Sequence, residues 1–297
     1  MQRRVLKIGP TPRIAVETCG SGPLVVFLHG IGGNRTAWSE QLPAVGEGHY
    51  AVAAWDARGY GDSDDYDGEL KFEDFAADLA RVMDALGVKC AHIVGCSMGG
   101  RIALDFYARW PERVATLTLA DTSAGNSRVA SSQEVEKFLA IRRQPLLAGR
   151  TPRDIAPEVA ASLIGPDTDP QVHERVIDIL SVLHAGSYVK TLDAVTRFSG
   201  FPAFELIRVP TLVLVGEHDR IATPEYAAAM ARRIPGSRYA MIPGGSHVCN
   251  MDRAAEFNAV LLDFLDAHRY CADSPLKAGP DQHVEISERT PAPLRGS

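Results

Sequence analysis

Cysteine is scarce in this chain of 297 residues: Cys19, Cys90, Cys96, Cys249 and Cys271 are all there is. Their odd number, wide scatter and lack of a C-x-x-C pair argue against a disulfide framework or a zinc knuckle. A reducing, cytoplasmic setting is the expectation. Long apolar runs are missing too. No segment reaches the ~18 consecutive apolar residues of a membrane span, and the opening MQRRVLKIGPTPRI lacks the apolar stretch of a signal peptide. Nor is there a basic surplus. The net charge of −6 argues against a nucleic-acid surface, which needs clustered Lys and Arg to neutralise phosphates. HExxH is absent, and the glycine-rich stretches GIGG and GCSMGG have neither the GxGxxG spacing nor the downstream acid of a dinucleotide site. No metal or organic cofactor is expected.

What is present is an average globular composition, 45% hydrophobic and 23% charged, in a length that suits one large α/β domain with an insertion. Short β-branched runs alternate with longer helical patterns, the arrangement of a parallel sheet covered by helices. PLVVFLHG, YAVAAWDARG, KCAHIVGC and VATLTLAD read as buried strands. FEDFAADLARVMDALG reads as a helix with Phe72, Phe75, Ala76, Leu79, Val82, Met83 and Leu86 on one face, ended by Gly87. After Asp121 the alternation stops. SSQEVEKFLAIRRQPLLAG, QVHERVIDILSVLHAG and YVKTLDAVTRF are amphipathic helices without a strand between them. Strands resume with VPTLVLVGEHD and SRYAMIPGG, and AAEFNAVLLDFLDAH closes the pattern. The expected organisation is a core over 1–126 and 207–270, a helical cap over 127–206, and a disordered tail over 271–297, where four prolines fall without apolar periodicity.

The stretch VGCSMGG joins one of these strands to the next helix. A serine hydroxyl needs an adjacent base to act as a nucleophile at neutral pH. A sharp strand-to-helix turn can lift it above the sheet, but the backbone is strained there and side chains two residues before and after do not fit. Here those positions are Gly95 and Gly99, with Gly100 beyond them, so Ser97 is the expected nucleophile. Cys96 is expected to point away from it as a buried, inert thiol.

With that elbow in place, residues 10 to 268 resemble the α/β-hydrolase fold family. The resemblance implies a triad in the chain order nucleophile, acid, base. Asp219, where TLVLVGEHD leaves its strand, is then the acid and His247, after YAMIPGG, the base. Asp121 competes for the acid role because it also ends a strand and some relatives take the acid from there. His218 and His29 are the rival histidines, and the resemblance gives His29 a supporting role beneath the oxyanion loop. LHGIGGNRTAW resembles the family's HG-x-G loop, which implies oxyanion donors at the backbone N–H of Ile31 and of Met98. DARGYGDSD, with Asp56, Arg58, Gly59, Gly61 and Ser63, is a family-like turn with a structural role.

Two branches of the family are close. Trp38-x-x-Gln41-Leu42-Pro43 and Asn250, three residues beyond the histidine, are similar to 3-oxoadipate enol-lactonases and small-ester hydrolases. The C–C hydrolases that open aromatic ring-fission products usually carry Asn before the nucleophile and Trp after the histidine, where this chain has Cys96 and Val248. Enol-lactonases commonly lack the glycine found here at position 30. The expected activity is hydrolysis of a small-molecule ester or lactone through an acyl-serine. C–C hydrolysis is the alternative, and a ligand receptor on the same fold is a third reading. Arg142, Arg143, Arg150, Arg153 and Arg197 lie in the insertion, any of which could clamp a substrate carboxylate. Neither nucleic acid nor membrane is expected as a partner, and a homo-oligomer is compatible with this composition.

Overall fold

The computed structural model of the chain describes residues 2–124, 132–269 and, as backbone, 284–287. Among these residues nine strands form one sheet: β1 (Arg4–Ile8), β2 (Ile14–Gly20), β3 (Leu24–Leu28), β4 (Ala51–Trp55), β5 (Ala91–Cys96), β6 (Val114–Ala120), β7 (Thr211–Gly216), β8 (Arg238–Ile242) and β9 (Val284–Ser287). Their spatial order is β8-β7-β6-β5-β3-β4-β2-β1-β9. From β4 to β8 every neighbouring pair is parallel, whereas β1, β2 and β9 pair antiparallel at the other end. The β1–β2 hairpin has no counterpart among the strands expected from the sequence. The disordered tail expected over 271–297 lies mostly outside the described residues. At Val284–Ser287 it is corrected, because β1 would otherwise be an edge strand and its free N–H and C=O groups pair with this segment from Val5↔Ser287 to Ile8↔Val284.

Strands β3 to β7 are buried on both faces, which is why they read as continuous apolar runs rather than alternating ones. Their side chains divide by strand period. Val26, Leu28, Ile93, Val213 and Val215 pack on one face, under α2 (Glu73–Ala85), α3 (Met98–Arg109) and α9 (Pro224–Arg233). Val25, Phe27, Val52, Val94, Leu212 and Leu214 pack on the other, under α1 (Gln41–Glu47) and α11 (Ala254–Ala267). A short helix, α10 (Cys249–Asp252), precedes α11.

Between β6 and β7 the chain runs through α4 (Ser132–Ala140), α5 (Gln144–Leu147), α6 (Pro152–Ala161), α7 (Pro170–Ser181) and α8 (Ala185–Arg197). These helices start where their chemistry dictates. Thr151 and Asp154 form a reciprocal capping box at α6, and Asp169 caps α7 by accepting from the Gln171 N–H. No helix among the described residues is long and apolar enough to cross a membrane.

The strand order fixes where a site can form. From β3 the chain passes to β4 on one side and then to β5 on the other, so the connections leaving β3 and β5 diverge to opposite faces. Open α/β sheets place their crevice at such a point, beyond the carboxyl ends of the strands. Here those ends are Leu28 and Cys96.

Candidate active site

Ser97 follows β5 directly and stands before the first turn of α3 with φ 53° and ψ −114°, a left-handed conformation that a serine adopts only under constraint. The constraint is visible in its neighbours. A Cβ on Gly95 would overlap the Gly99 carbonyl, and one on Gly99 would overlap the Leu28 carbonyl. The turn therefore closes only with glycine at both positions. Its amide is used as well, since the Ser97 N–H donates to the Ala120 carbonyl at 2.9 Å.

His247 lies in the loop after β8, with its imidazole between Ser97 and Asp219. Its Nδ1 is 2.8 Å from Asp219 Oδ2, and Nε2 is 3.0 Å from Ser97 Oγ. An ionised carboxylate only accepts, so the proton sits on Nδ1 and Nε2 is left to accept the Ser97 hydroxyl. The other Asp219 oxygen takes the N–H groups of Ile221 at 2.7 Å and Ala222 at 3.0 Å. Burial alone would raise the Asp219 carboxyl, but His247 and these two amides outweigh it and hold it below the usual value. Burial likewise opposes the His247 cation, and the adjacent Asp219 charge overcomes that and raises the imidazole above its ordinary 6.5.

The rival residues are placed elsewhere. Asp121 is fully buried with φ 46°. It accepts from the Gly216 N–H at 2.9 Å on one oxygen and from the Cys249 thiol at 2.9 Å on the other. Burial, together with the Asp219 charge, pushes it up to about 7. The His218 ring lies 3.9 Å from Asp167, away from Ser97. His29 donates from Nδ1 to the Gly30 carbonyl at 2.8 Å and accepts the Ala57 N–H on Nε2 at 3.0 Å. Burial keeps it neutral by lowering its pKa, so it pins the loop that carries Gly30 and Ile31. That loop passes beside Ser97, because a Cβ on Gly30 would touch Ser97 Cβ at 3.3 Å. Met98 opens α3, where a backbone N–H has no intrahelical acceptor. The Ile31 N–H carries no hydrogen bond among the described residues.

Cys96 is 7% exposed and packs on the α1/α11 face of the sheet. Burial, then the Asp121 and Asp219 carboxylates, drive its thiol well above the ordinary value. It stays protonated at neutral pH, and a thiol without its thiolate is a weak nucleophile.

Ser97, His247, Ile31 and Met98 open into a cavity of about 720 Å³ shared between the sheet's carboxyl edge and the α4–α8 insertion. Val135, Phe138, Val176, Leu180 and Phe201 give it apolar walls. The insertion also touches the His247 loop directly, through the His247 N–H to the Leu163 carbonyl at 3.1 Å. Of the five arginines singled out in the insertion, Arg142 and Arg197 line the cavity, whereas Arg143 is paired with Asp193 at 3.2 Å. Arg101 also lines it and was not anticipated. The signal was available: Arg101 is four residues after Ser97, one helical turn along the same face.

The alpha/beta hydrolase fold family matches residues 23–254. The chain is an α/β hydrolase. It is similar to 2-hydroxy-6-oxononadienedioate/2-hydroxy-6-oxononatrienedioate hydrolases. One from Escherichia coli strain K12 is 29% identical over 88% of this chain and 93% of the relative. One from Klebsiella pneumoniae is 31% identical over 86% and 92%. Among solved structures it is similar to a malate-bound thermophilic esterase from Thermogutta terrifontis (28% identity, 91% of this chain and 100% of that one, TM-score 0.80). The enol-lactonase of Burkholderia xenovorans LB400 is also similar (26% identity, 86% and 96%, TM-score 0.75). Both branches anticipated from the motifs are thus represented among the relatives of this α/β hydrolase.

The signature that pointed to the lactonase branch has a physical basis in the fold. Gln41 Nε2 donates to the Asn250 carbonyl at 2.9 Å, and Asn250 Nδ2 donates to the Ala37 carbonyl at 2.8 Å. The pair staples the start of α1 to the loop bearing His247. Trp38 fills the space beneath, with Phe27 at 4.9 Å and Phe257 at 6.1 Å between ring centroids. The DARGYGDSD turn is a polar knot. The buried Asp56 carboxylate accepts the Arg35 N–H at 2.6 Å and the Asp62 N–H at 2.9 Å and pairs with the Arg35 guanidinium, while Arg58 grips Asp78 through two hydrogen bonds.

Proposed function

We propose that this α/β hydrolase cleaves carboxylic esters or lactones through an acyl-Ser97 intermediate. The observation that carries the reading is the continuous chain Ser97–His247–Asp219, set on a strained turn at the wall of a largely apolar cavity. Ser97 Oγ attacks the carbonyl carbon while His247 Nε2 takes its proton, and the charge that forms on the carbonyl oxygen is met by the N–H groups of Ile31 and Met98. His247 returns the proton to the departing alkoxide. Water then attacks the acyl-enzyme by the same route, releasing the acid and restoring Ser97. Asp219 fixes the imidazole tautomer and stabilises the imidazolium. The α4–α8 insertion acts as a cap that shapes the acyl and leaving-group pockets.

C–C hydrolysis is the second reading, favoured by the printed activity of the Escherichia coli and Klebsiella relatives. Opening a ring-fission dienoate develops dienolate charge, for which polar groups near the nucleophile are the natural support. Here the residue before Ser97 is a thiol packed into the sheet and the one after His247 is Val248, and that supports the ester reading. A turnover screen with short aryl esters, enol-lactones, larger lactones and 2-hydroxy-6-oxodienoates separates them. A burst of p-nitrophenol from a p-nitrophenyl ester is expected. Preferential cleavage of dienoates would replace the reading with the second, and tight ligand binding without turnover would make the chain a receptor.

A further inference from the structure

The chain is acidic overall, with a net charge of −6, yet its cavity is the reverse. Arg101, Lys137, Arg142, Arg197 and Arg220 line it, and among the described residues no Asp or Glu does. Lys137, Arg197 and Arg220 are exposed, so water solvates them and their presence is unremarkable in energy. Arg142 is different. It is 3% exposed, and its guanidinium has only neutral company: the Ser162 hydroxyl at 2.9 Å, the Phe138 carbonyl at 3.4 Å, the Phe138 ring 4.3 Å from its central carbon and the nearby Tyr188 hydroxyl. Arg101 repeats the pattern from α3. One of its terminal nitrogens donates to the carbonyls of Val195 and Phe198, the Phe201 ring lies 4.9 Å away, and its buried Nε has no partner. No carboxylate pairs with either among the described residues.

A buried cation without a counter-ion is costly, because water's solvation is lost and nothing ionic replaces it. Burial lowers the affinity of both arginines for their protons, yet Arg101 still falls only to about 10, so it remains a cation at neutral pH. Each guanidinium has five donors in a planar fork that matches a carboxylate, and most of those donors are unspent here. The missing partner has to arrive from outside.

We infer that the substrate carries a carboxylate, and that Arg142, assisted by Arg101, holds it while the scissile carbonyl lies at Ser97. The apolar walls then accept the chain between the two ends, and the exposed Lys137, Arg197 and Arg220 draw the anion toward the mouth. This rests on the hydrolase reading above, and it narrows the substrate class to carboxylate-bearing esters or lactones.

The test compares two pairs of esters, each pair differing in one carboxylate. One places the carboxylate on the acyl side (4-nitrophenyl hydrogen adipate against 4-nitrophenyl hexanoate). The other places it on the leaving group (4-acetoxybenzoate against phenyl acetate). In one of the pairs, kcat/KM of the wild-type protein is expected to favour the anion by about 10- to 100-fold, the worth of a charged hydrogen-bonded contact. Arg142→Met, which removes the cation while keeping the volume apolar, brings that ratio toward one, and Arg142→Lys leaves an intermediate preference. Arg101→Met lowers the ratio too and stands in should the Arg142 variants fail to fold. Binding is read independently of turnover as the rise in melting temperature that adipate gives to the Ser97→Ala protein, lost when Arg142→Met is added. Turnover of neutral esters with no preference in either pair, and no adipate effect, overturns the inference and leaves the hydrolase reading standing. No ester turnover with an Arg142-dependent adipate effect does the opposite.

Discussion

Replacing Asp219 by Asn tests the acid assignment with a magnitude that follows from three hydrogen bonds. Asp219 offers one oxygen to the His247 ring at 2.8 Å and the other to the amides of Ile221 and Ala222 at 2.7 and 3.0 Å. An asparagine has only one acceptor oxygen. If that oxygen stays with the two amides, the NH₂ group faces His247 Nδ1, which must then accept. The ring proton moves to Nε2, and His247 can no longer take the proton of Ser97. The opposite flip restores the tautomer but sets an NH₂ against two N–H donors, leaving both unsatisfied in a site where Asp219 is 3% exposed. At about 1–3 kcal/mol for each orphaned donor, the productive flip is disfavoured by ~2–6 kcal/mol. That leaves about one molecule in 30 to one in 3 × 10⁴ competent, at 1.36 kcal/mol per tenfold. Asp121→Asn makes the contrast. Its oxygen can keep the Gly216 amide, and only the Cys249 thiol, a weak donor, loses its acceptor, so kcat/KM is expected to stay within about tenfold of wild type. The assay is p-nitrophenyl ester hydrolysis at pH 8, with melting curves to show that both variants fold. An Asp219→Asn protein that keeps more than a tenth of wild-type kcat/KM, or an Asp121→Asn protein that keeps less than a tenth, refutes the assignment.

Ser97→Ala is expected to lower kcat by at least about 10³-fold, whereas Cys96→Ala retains most activity because its thiol is held protonated. Mass spectrometry after a fluorophosphonate probe checks this by finding the label on Ser97 and none on Cys96. The acid limb of kcat/KM should have its midpoint above 6.5. The base must be neutral to act and Asp219 raises the His247 pKa, so activity is lost as pH falls through that raised value; an acid limb below 6.5 speaks against the pairing. Gly99→Ala forces a methyl group into the Leu28 carbonyl and should cost about 1–3 kcal/mol of stability, read as a fall in the urea midpoint, while an unchanged midpoint contradicts the tight turn.

How much of this was legible in the chain differs by kind of interaction. Strands β3 to β7 announce themselves because burial on both faces demands a largely apolar run, in which only His92, Thr116, Thr118 and Thr211 are polar. The elbow does so because two glycines are forced by backbone overlap, a constraint written in residue type. The β1–β2 hairpin was not legible: β1 is mostly partly exposed, β2 runs from buried Ile14–Val16 into Glu17 and Thr18, and neither period stands out. The α4–α8 insertion was legible as helices, but which of its arginines face the cavity depends on how the helices pack. Arg142 and Arg143 are adjacent in sequence, yet one is buried beside Phe138 and the other is spent on Asp193. Arg101 reads from sequence as one residue of a core helix, although its spacing places it one turn from Ser97.

The choice between two carboxylates shows what sequence alone leaves open. Asp121 and Asp219 both end strands on the same edge of the sheet, so strand position cannot separate them. Backbone supply separates them. Asp219 sits on a turn that presents two amides and a histidine, three favourable partners for a charge, and it is held ionised. Asp121 receives one amide and a thiol, and the neighbouring Asp219 charge works against its own. Burying a second full charge beside the first is unfavourable, and its pKa near 7 lets it carry a proton instead. Cys249, whose thiol is itself kept protonated by burial and by Asp121, then donates to Asp121 rather than competing for His247. The arrangement leaves a single ionised carboxylate in direct contact with the imidazole, which holds the proton on Nδ1 and leaves Nε2 facing the Ser97 hydroxyl.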